Sequence, residues 1–77
     1  MITYAVIYER AGDGSWHARA ADFPAYSCAD TREEVEREIR ASIELYLEAS
    51  VHEGRELPFA SDDVGTVSVE IPSAVAP

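Results

Sequence analysis

The side chains of this sequence that could do chemistry are loop aspartates, one cysteine and two histidines. Hydrolysis of phosphodiesters by two Mg²⁺ ions needs several carboxylates that converge on one point. Asp13, Asp22 and Asp30 all fall in predicted loops. The inward positions of the first predicted strand carry Tyr and Val rather than acids. Loop carboxylates are usually solvated, so we expect no metal site and no cofactor.

Cys28 could act as a nucleophile with His17 or His52 as its base, but these residues belong to no recognisable catalytic motif. Neither histidine has the spacing to another His or Cys that metal sites use. A free cysteine behaves more often as a small hydrophobe than as a nucleophile, so we expect Cys28 to be buried. His52 ends the predicted helix, where a cation suits the helix dipole. The sequence therefore predicts a protein without catalytic residues.

The length and the single cysteine indicate the number of domains, the need for self-association and the cellular compartment. Seventy-seven residues make one domain, and a chain this short buries only about 60% of its unfolded surface. Since no disulfide can form within the chain, we expect self-association, as a homodimer or homotetramer, to add stability. A lone cysteine suits a reducing compartment. No membrane-length apolar run and no leader are found, so we expect a cytoplasmic protein with no membrane partner.

The chain is strongly acidic, with a formal net charge of −9 from 15 acidic and 6 basic residues. Such a field repels phosphate backbones, which disfavours direct binding of nucleic acid. It favours a basic protein partner, because opposite fields accelerate and orient association. Alternatively, the acidic surface only keeps the protein soluble, and the net charge alone does not distinguish between these two explanations. The chain has no lysine, so its aromatic residues are expected in the core rather than stacked on bases.

Short runs rich in Tyr, Val and Ile, bounded by turn residues, predict four strands. They cover residues 2–9, 16–20, 26–29 and 65–71. The first run has apolar groups on both faces, which is typical of a central strand. The last run alternates, with Val67, Val69 and Ile71 on one face.

The segment from Ala21 to Val35 contains the best-specified helix start. The Thr31 hydroxyl can cap the helix, and Glu34 can reach back to the Thr31 amide, which together form a capping box. The helix is predicted from about Arg32 to Glu53, with Gly54 as its C-terminal cap. Its inward stripe, at helical spacing, is Val35, Ile39, Ser42, Ile43, Tyr46 and Ser50.

The element order is β-β-β-α-β, an α+β fold. A right-handed crossover brings the last strand back parallel to the first, which predicts a four-stranded mixed sheet of order 3-2-1-4 with one helix packed on one face. Residues 1–71 are predicted to form the domain, and residues 72–77 a flexible tail. The second sheet face is left open to another copy or to a partner.

Several short motifs occur in an order that resembles the HicB-like antitoxin family, whose core is similar to an incomplete ribonuclease H fold. The matching residues are Trp16, Asp22-Phe23-Pro24, Asp30-Thr31, Glu33-Glu34, Leu45-Tyr46-Leu47, Gly54 and Pro58. Ala25, Tyr26 and Ala29 depart from the Gly, Cys and Gly that are usual in the family. Many members carry a C-terminal DNA-binding domain, and we expect none here.

The resemblance implies a non-catalytic antitoxin of a toxin–antitoxin system, which covers a small basic ribonuclease and excludes RNA from it. The implied partner contacts are Asp22, Phe23 and Tyr26 at the turn, with Glu33 on the first helical turn. Alternatively, Phe23 only closes the turn and Asp22 only bonds local amides. A second function is a stand-alone oligomeric module that binds a protein or a small ligand without a toxin. A degenerate nuclease is the third alternative.

Overall fold

A computed structural model describes residues 2–72 and shows an α+β domain. Its elements are β1 (Val6–Arg10), β2 (Trp16–Ala20), β3 (Tyr26–Ala29) and α1 (Arg32–His52). The strands form one antiparallel sheet in the order β1-β2-β3. The predicted bounds of β2 and β3 are confirmed. The predicted start of the first strand at Ile2 is wrong, because β2 ends at Ala20, whose partner on β1 is Val6.

A tight loop between β1 and β2 sets their register. The Ala11 amide donates to the Ser15 carbonyl at 2.8 Å, and the Gly14 amide donates to the Ala11 carbonyl at 3.0 Å. Gly14 has a φ of 89°, a left-handed conformation that favours glycine. The register that follows pairs Tyr8 with Ala18, so that both side chains face the helix.

The core lies between α1 and the sheet. Ala18, Val35 and Ile39 are at most 1% exposed and form its centre. Small residues on β2 and β3 let the helix approach closely, and α1 accordingly packs on these two strands. Among the described residues, no Cα of α1 lies within 8 Å of a Cα of β1. The helix is therefore displaced toward β3, and the inner side of β1 is left partly uncovered.

Both ends of α1 are closed by the residues that the sequence indicates. Thr31 is extended, and its Oγ1 accepts from the Glu34 amide at 3.1 Å. The Glu34 carboxylate accepts from the Thr31 hydroxyl at 3.2 Å, rather than from the amide expected in a capping box. At the other end Gly54 has a φ of 74°, and the Arg55 amide donates to the Ser50 carbonyl at 2.8 Å. This is a Schellman closure, and it ends the helix at His52.

Replacement of Thr31 by alanine is expected to lower the free energy of unfolding by about 1 kcal/mol, because one amide of the first turn loses its acceptor. Urea unfolding followed by circular dichroism measures the change. Thr31→Ser, which keeps the hydroxyl, is the matched control. Equal midpoints for Thr31→Ala and the unmodified chain would show that this cap does not stabilise α1.

The predicted fourth strand is not formed in the structure. Residues 65–71 pair with no strand, and Val67, Val69 and Ile71 are 87%, 79% and 75% exposed. The sheet therefore has three antiparallel strands instead of four mixed ones. Alternation shows only that a segment is suited to a strand, whereas pairing also needs an edge within reach. The predicted tail, residues 72–77, lies outside the described residues beyond Pro72.

Candidate protein-binding surfaces

The outer sheet face, opposite α1, is covered by no other described element. Alternation along the strands places on it Ile7, Glu9, His17, Arg19, Tyr26 and Cys28. The register arranges these residues in two rows across the sheet, one through Ile7 and Arg19 and one through Glu9 and His17. Tyr26 is 57% exposed, and a shallow depression of about 260 Å³ lies beside it. This face combines apolar side chains with charges of both signs.

A chain of hydrogen bonds crosses the outer face from the β1–β2 loop to β3. Asp13 Oδ1 accepts from the Ser15 hydroxyl at 2.6 Å, Ser15 Oγ lies 3.1 Å from His17 Nε2, and His17 Nδ1 bonds the Tyr26 hydroxyl. The hydroxyl and amide of Ser15 hold the pKa of Asp13 below its ordinary value. Partial desolvation, then Cys28 and Glu9, raise the pKa of the Tyr26 phenol, so that it keeps its proton at neutral pH.

The protonation states decide the direction of this chain. The Asp13 carboxylate can only accept, so the single hydroxyl proton of Ser15 is donated to it. His17 Nε2 must then donate to Ser15, and Nδ1 of the neutral imidazole accepts from Tyr26. A general base needs a free lone pair on the nitrogen that faces the nucleophile. The Ser15–His17 pair therefore lacks the arrangement that would activate a serine, and the bonds instead orient Tyr26.

Cys28 lies on the outer face and is exposed, so the prediction of a buried thiol is wrong. Its neighbour Ser27 faces the helix, where Ser27 Oγ lies 2.8 Å from Ser42 Oγ. Since adjacent residues of a strand point to opposite faces, Cys28 must point outward. The register places it opposite His17, whose two nitrogens already bond Ser15 and Tyr26.

Two of the four predicted contact residues are engaged within the chain. Phe23 stacks on Tyr46 at 4.9 Å between ring centroids and meets Tyr4 edge-on at 5.0 Å. Asp22 accepts from the Ser61 amide at 3.3 Å and from the Ser61 hydroxyl at 2.9 Å. The turn that contains them thus holds together the N-terminal segment, α1 and the chain that follows the helix.

The other two predicted contacts lie on different surfaces. Tyr26 belongs to the outer sheet face, and Glu33 is exposed on the first turn of α1. Phe23 packs on the helix side, against the later part of α1. The four residues therefore do not form one contiguous patch, and among them Tyr26 offers the largest exposed ring.

A second surface, which we call the edge groove, runs between β1 and α1. It has a volume of about 810 Å³, and its apolar lining includes Tyr4, Val6, Tyr8, Ile39, Ile43 and Leu47. The guanidinium carbon of Arg32 lies 3.4 Å from the centroid of the Tyr8 ring at its rim. Among the described strands β1 pairs only with β2, so its other edge is free. The two apolar faces of the first run predicted a central strand, but no sequence signal indicated a groove beside the helix.

No family model, no curated protein and no solved structure matches this chain. The resemblance to HicB-like antitoxins therefore stays a prediction. Over residues 2–72 no group of three or more His, Cys, Asp or Glu side chains is arranged to hold a metal ion. Within the same residues no helix is long and apolar enough to cross a membrane.

Proposed function

We propose that this protein is a non-catalytic, antitoxin-like protein that binds and masks a small basic ribonuclease toxin. The observation that carries the proposal is the uncovered outer sheet face, with Tyr26 and Ile7 exposed on a strongly acidic chain. Exposed aromatic side chains are common anchors of protein interfaces. An acidic field around them attracts and orients a basic partner.

In this proposal Tyr26 is the central contact, and the His17 bond holds its ring in place before binding. A side chain that is already oriented loses less conformational entropy on association. The exposed carboxylate of Glu33 adds to the field at the start of α1. Asp22 and Phe23 contribute by holding the turn, since their side chains are engaged within the chain.

We assign to the protein no cofactor and no membrane partner. We also assign to it no direct contact with nucleic acid, because the net charge of −9 opposes approach to phosphates. A cytoplasmic location is supported by Cys28, an exposed thiol that a reducing compartment would keep free. The proposed assembly is a homodimer or a homotetramer, since a domain of this size gains stability by association.

The proposed complete sheet has four strands in the order 3-2-1-4, with residues 65–71 parallel to β1. Three features support this arrangement: the free edge of β1, the open edge groove beside it, and the unpaired alternation of Val67, Val69 and Ile71. The same features favour the second candidate function, a stand-alone oligomeric module that binds a protein or small ligand without a toxin.

Co-expression with the product of a short basic open reading frame next to its gene is expected to yield a stable complex that no longer cleaves RNA. Tyr26→Ala is expected to weaken that complex by about tenfold or more, as interface aromatic anchors do. Titration calorimetry with the purified toxin measures the affinities. Phe59→Ala is the matched control, because it truncates a loop aromatic that is 89% exposed.

The two candidate functions predict different results. No complex with a basic neighbour, or no such neighbouring gene, would exclude the antitoxin and leave the oligomeric module. Equal affinities of the Tyr26→Ala and Phe59→Ala variants for the toxin would show that the toxin does not bind at the outer face. RNA cleavage by the protein alone with Mg²⁺ would contradict a non-catalytic role.

A further inference from the structure

We propose that two copies of this chain exchange their C-terminal arms, residues 62–72, each arm pairing as a β-strand with the free edge of β1 in the other copy. This exchange rests on the proposed fourth strand, which here comes from a second copy of the chain. In such a dimer each sheet keeps the order 3-2-1-4, and the outer face remains free for a partner.

The arm has the pattern of a strand but no partner within its own chain. Val67, Val69 and Ile71 alternate with Thr66, Ser68 and Glu70 and are at least three-quarters exposed. Within residues 62–72 no backbone group is hydrogen-bonded to the sheet. A row of aliphatic side chains left in water favours any surface that buries it.

The acceptor is the free edge of β1 together with the edge groove. A strand added there would lie about 4.8 Å from β1 and direct every second side chain toward the groove. Branched aliphatic side chains at a spacing of two, as in Val67, Val69 and Ile71, suit a lining that includes Val6 and Ile43. Addition of a strand also satisfies the amides and carbonyls that β1 leaves unpaired.

The path of the chain favours exchange over closure on the same molecule. The chain leading to the arm is fixed at two points, by the Tyr4 hydroxyl on the Pro58 carbonyl and by Asp22 on Ser61, and the arm beyond them makes no backbone hydrogen bond to its own sheet. The Cα radius of gyration is 15.7 Å, against roughly 11–12 Å for a compact chain of this length. The longest dimension is 50 Å, compared with 28 and 19 Å for the other two. The arm therefore extends away from its own sheet.

Reciprocal exchange also gives a closed assembly. A two-fold axis lets each copy donate one arm and accept one, so that both β1 edges are occupied and the exchange closes at two chains. The −9 charge of each copy opposes association, and salt screens that repulsion. The dimer is accordingly expected to tighten as ionic strength rises, whereas the complex with a basic toxin is expected to weaken.

Sedimentation velocity of the full chain at micromolar concentration is expected to show a dimer. Val69→Asp is expected to raise the dimer dissociation constant by at least about tenfold, because it replaces an aliphatic contact in each groove with a carboxylate that must be desolvated. Ser68→Asp adds the same charge one residue earlier, on the opposite side of the arm, and is expected to change it by less than about threefold. Equal effects of the two variants, or a monomeric parent chain, would overturn the exchange.

Isotope-filtered NOE spectra of a dimer with one ¹³C-labelled copy identify the donor of the arm. Contacts between Val69 of one copy and Ile43 of the other are the expected result. The same contacts within one copy only would overturn the exchange but keep the proposed fourth strand. Absence of both kinds of contact would reject the strand itself. Toxin binding tested with Tyr26→Ala reports on the proposed function independently of these results.

Discussion

Replacement of Ile39 by alanine is expected to lower the free energy of unfolding by about 2–5 kcal/mol. Ile39 is 1% exposed and lies in the core cluster with Val35 and Ala18. Truncation removes the transfer free energy of the lost carbons and leaves a cavity, because the neighbouring Ala18 is too small to fill it. A chain of this length is stable by only about 4–12 kcal/mol in total. The substitution should therefore remove a large share of the total stability of the fold.

Urea unfolding at several protein concentrations measures this effect separately from any dissociation. Leu45→Ala is the matched control, since Leu45 is on the same helix and is 69% exposed. It is expected to change the free energy of unfolding by less than about 0.5 kcal/mol. If both variants lost the same stability, the buried face of α1 would be wrongly placed.

Phe23→Ala is expected to lower the free energy of unfolding by about 2 kcal/mol. A fully buried phenylalanine loses about 3–5 kcal/mol on truncation, and Phe23 is half-buried. Its ring lies between those of Tyr4 and Tyr46, and aromatic pairs add about 0.5–1.5 kcal/mol beyond the area that they bury. The turn, the N-terminal segment and α1 would lose their common contact.

Thermal and urea unfolding measure the loss, and Phe59→Ala, at an exposed loop position, is the control. Phe23→Leu should recover part of the stability, because it refills the space without the ring contacts. The family resemblance implies instead that Phe23 contacts the partner. Unchanged stability together with weaker toxin binding would support that role and contradict the structural one.

The outer face and the edge groove are separate surfaces, so the proposed toxin and the proposed second copy would not compete for them. The outer face is formed by the sides of β1, β2 and β3 that point away from α1, whereas the groove opens between β1 and the helix. A dimer formed through the groove would present two outer faces. The proposed masking of a toxin and the proposed self-association are therefore compatible in one assembly.

Much of the fold follows from local sequence. The bounds of β2 and β3, the start of α1 at Arg32, the cap at Thr31 and the closing residue Gly54 were predicted from neighbouring residues, and the end of α1 differs from the prediction by one residue. These features depend on contacts within a few positions of the chain, such as the Glu34 amide on the Thr31 hydroxyl. Local hydrogen bonds and turn conformations are properties that the sequence determines by itself.

The candidate site depended on longer-range contacts. The aromatic character of Phe23 was evident in the sequence, but its stacking on Tyr46 depends on where α1 crosses the sheet. Cys28 was expected to be buried on its residue type alone, whereas the helix-facing position of Ser27 directs it outward. The hydrogen-bond chain from Asp13 to Tyr26 joins a loop to a strand that follows a second turn, and no spacing rule indicated it.

The fourth strand shows most clearly where the sequence stops and the tertiary structure decides. Alternation over residues 65–71 determined that this segment can be a strand with one apolar face. Whether it pairs depends on an edge, on the path of the chain past Ser61 and on a groove to receive its side chains. A strand has no internal hydrogen bonds, unlike a helix, so its formation depends on a neighbour in space and not on its own residues.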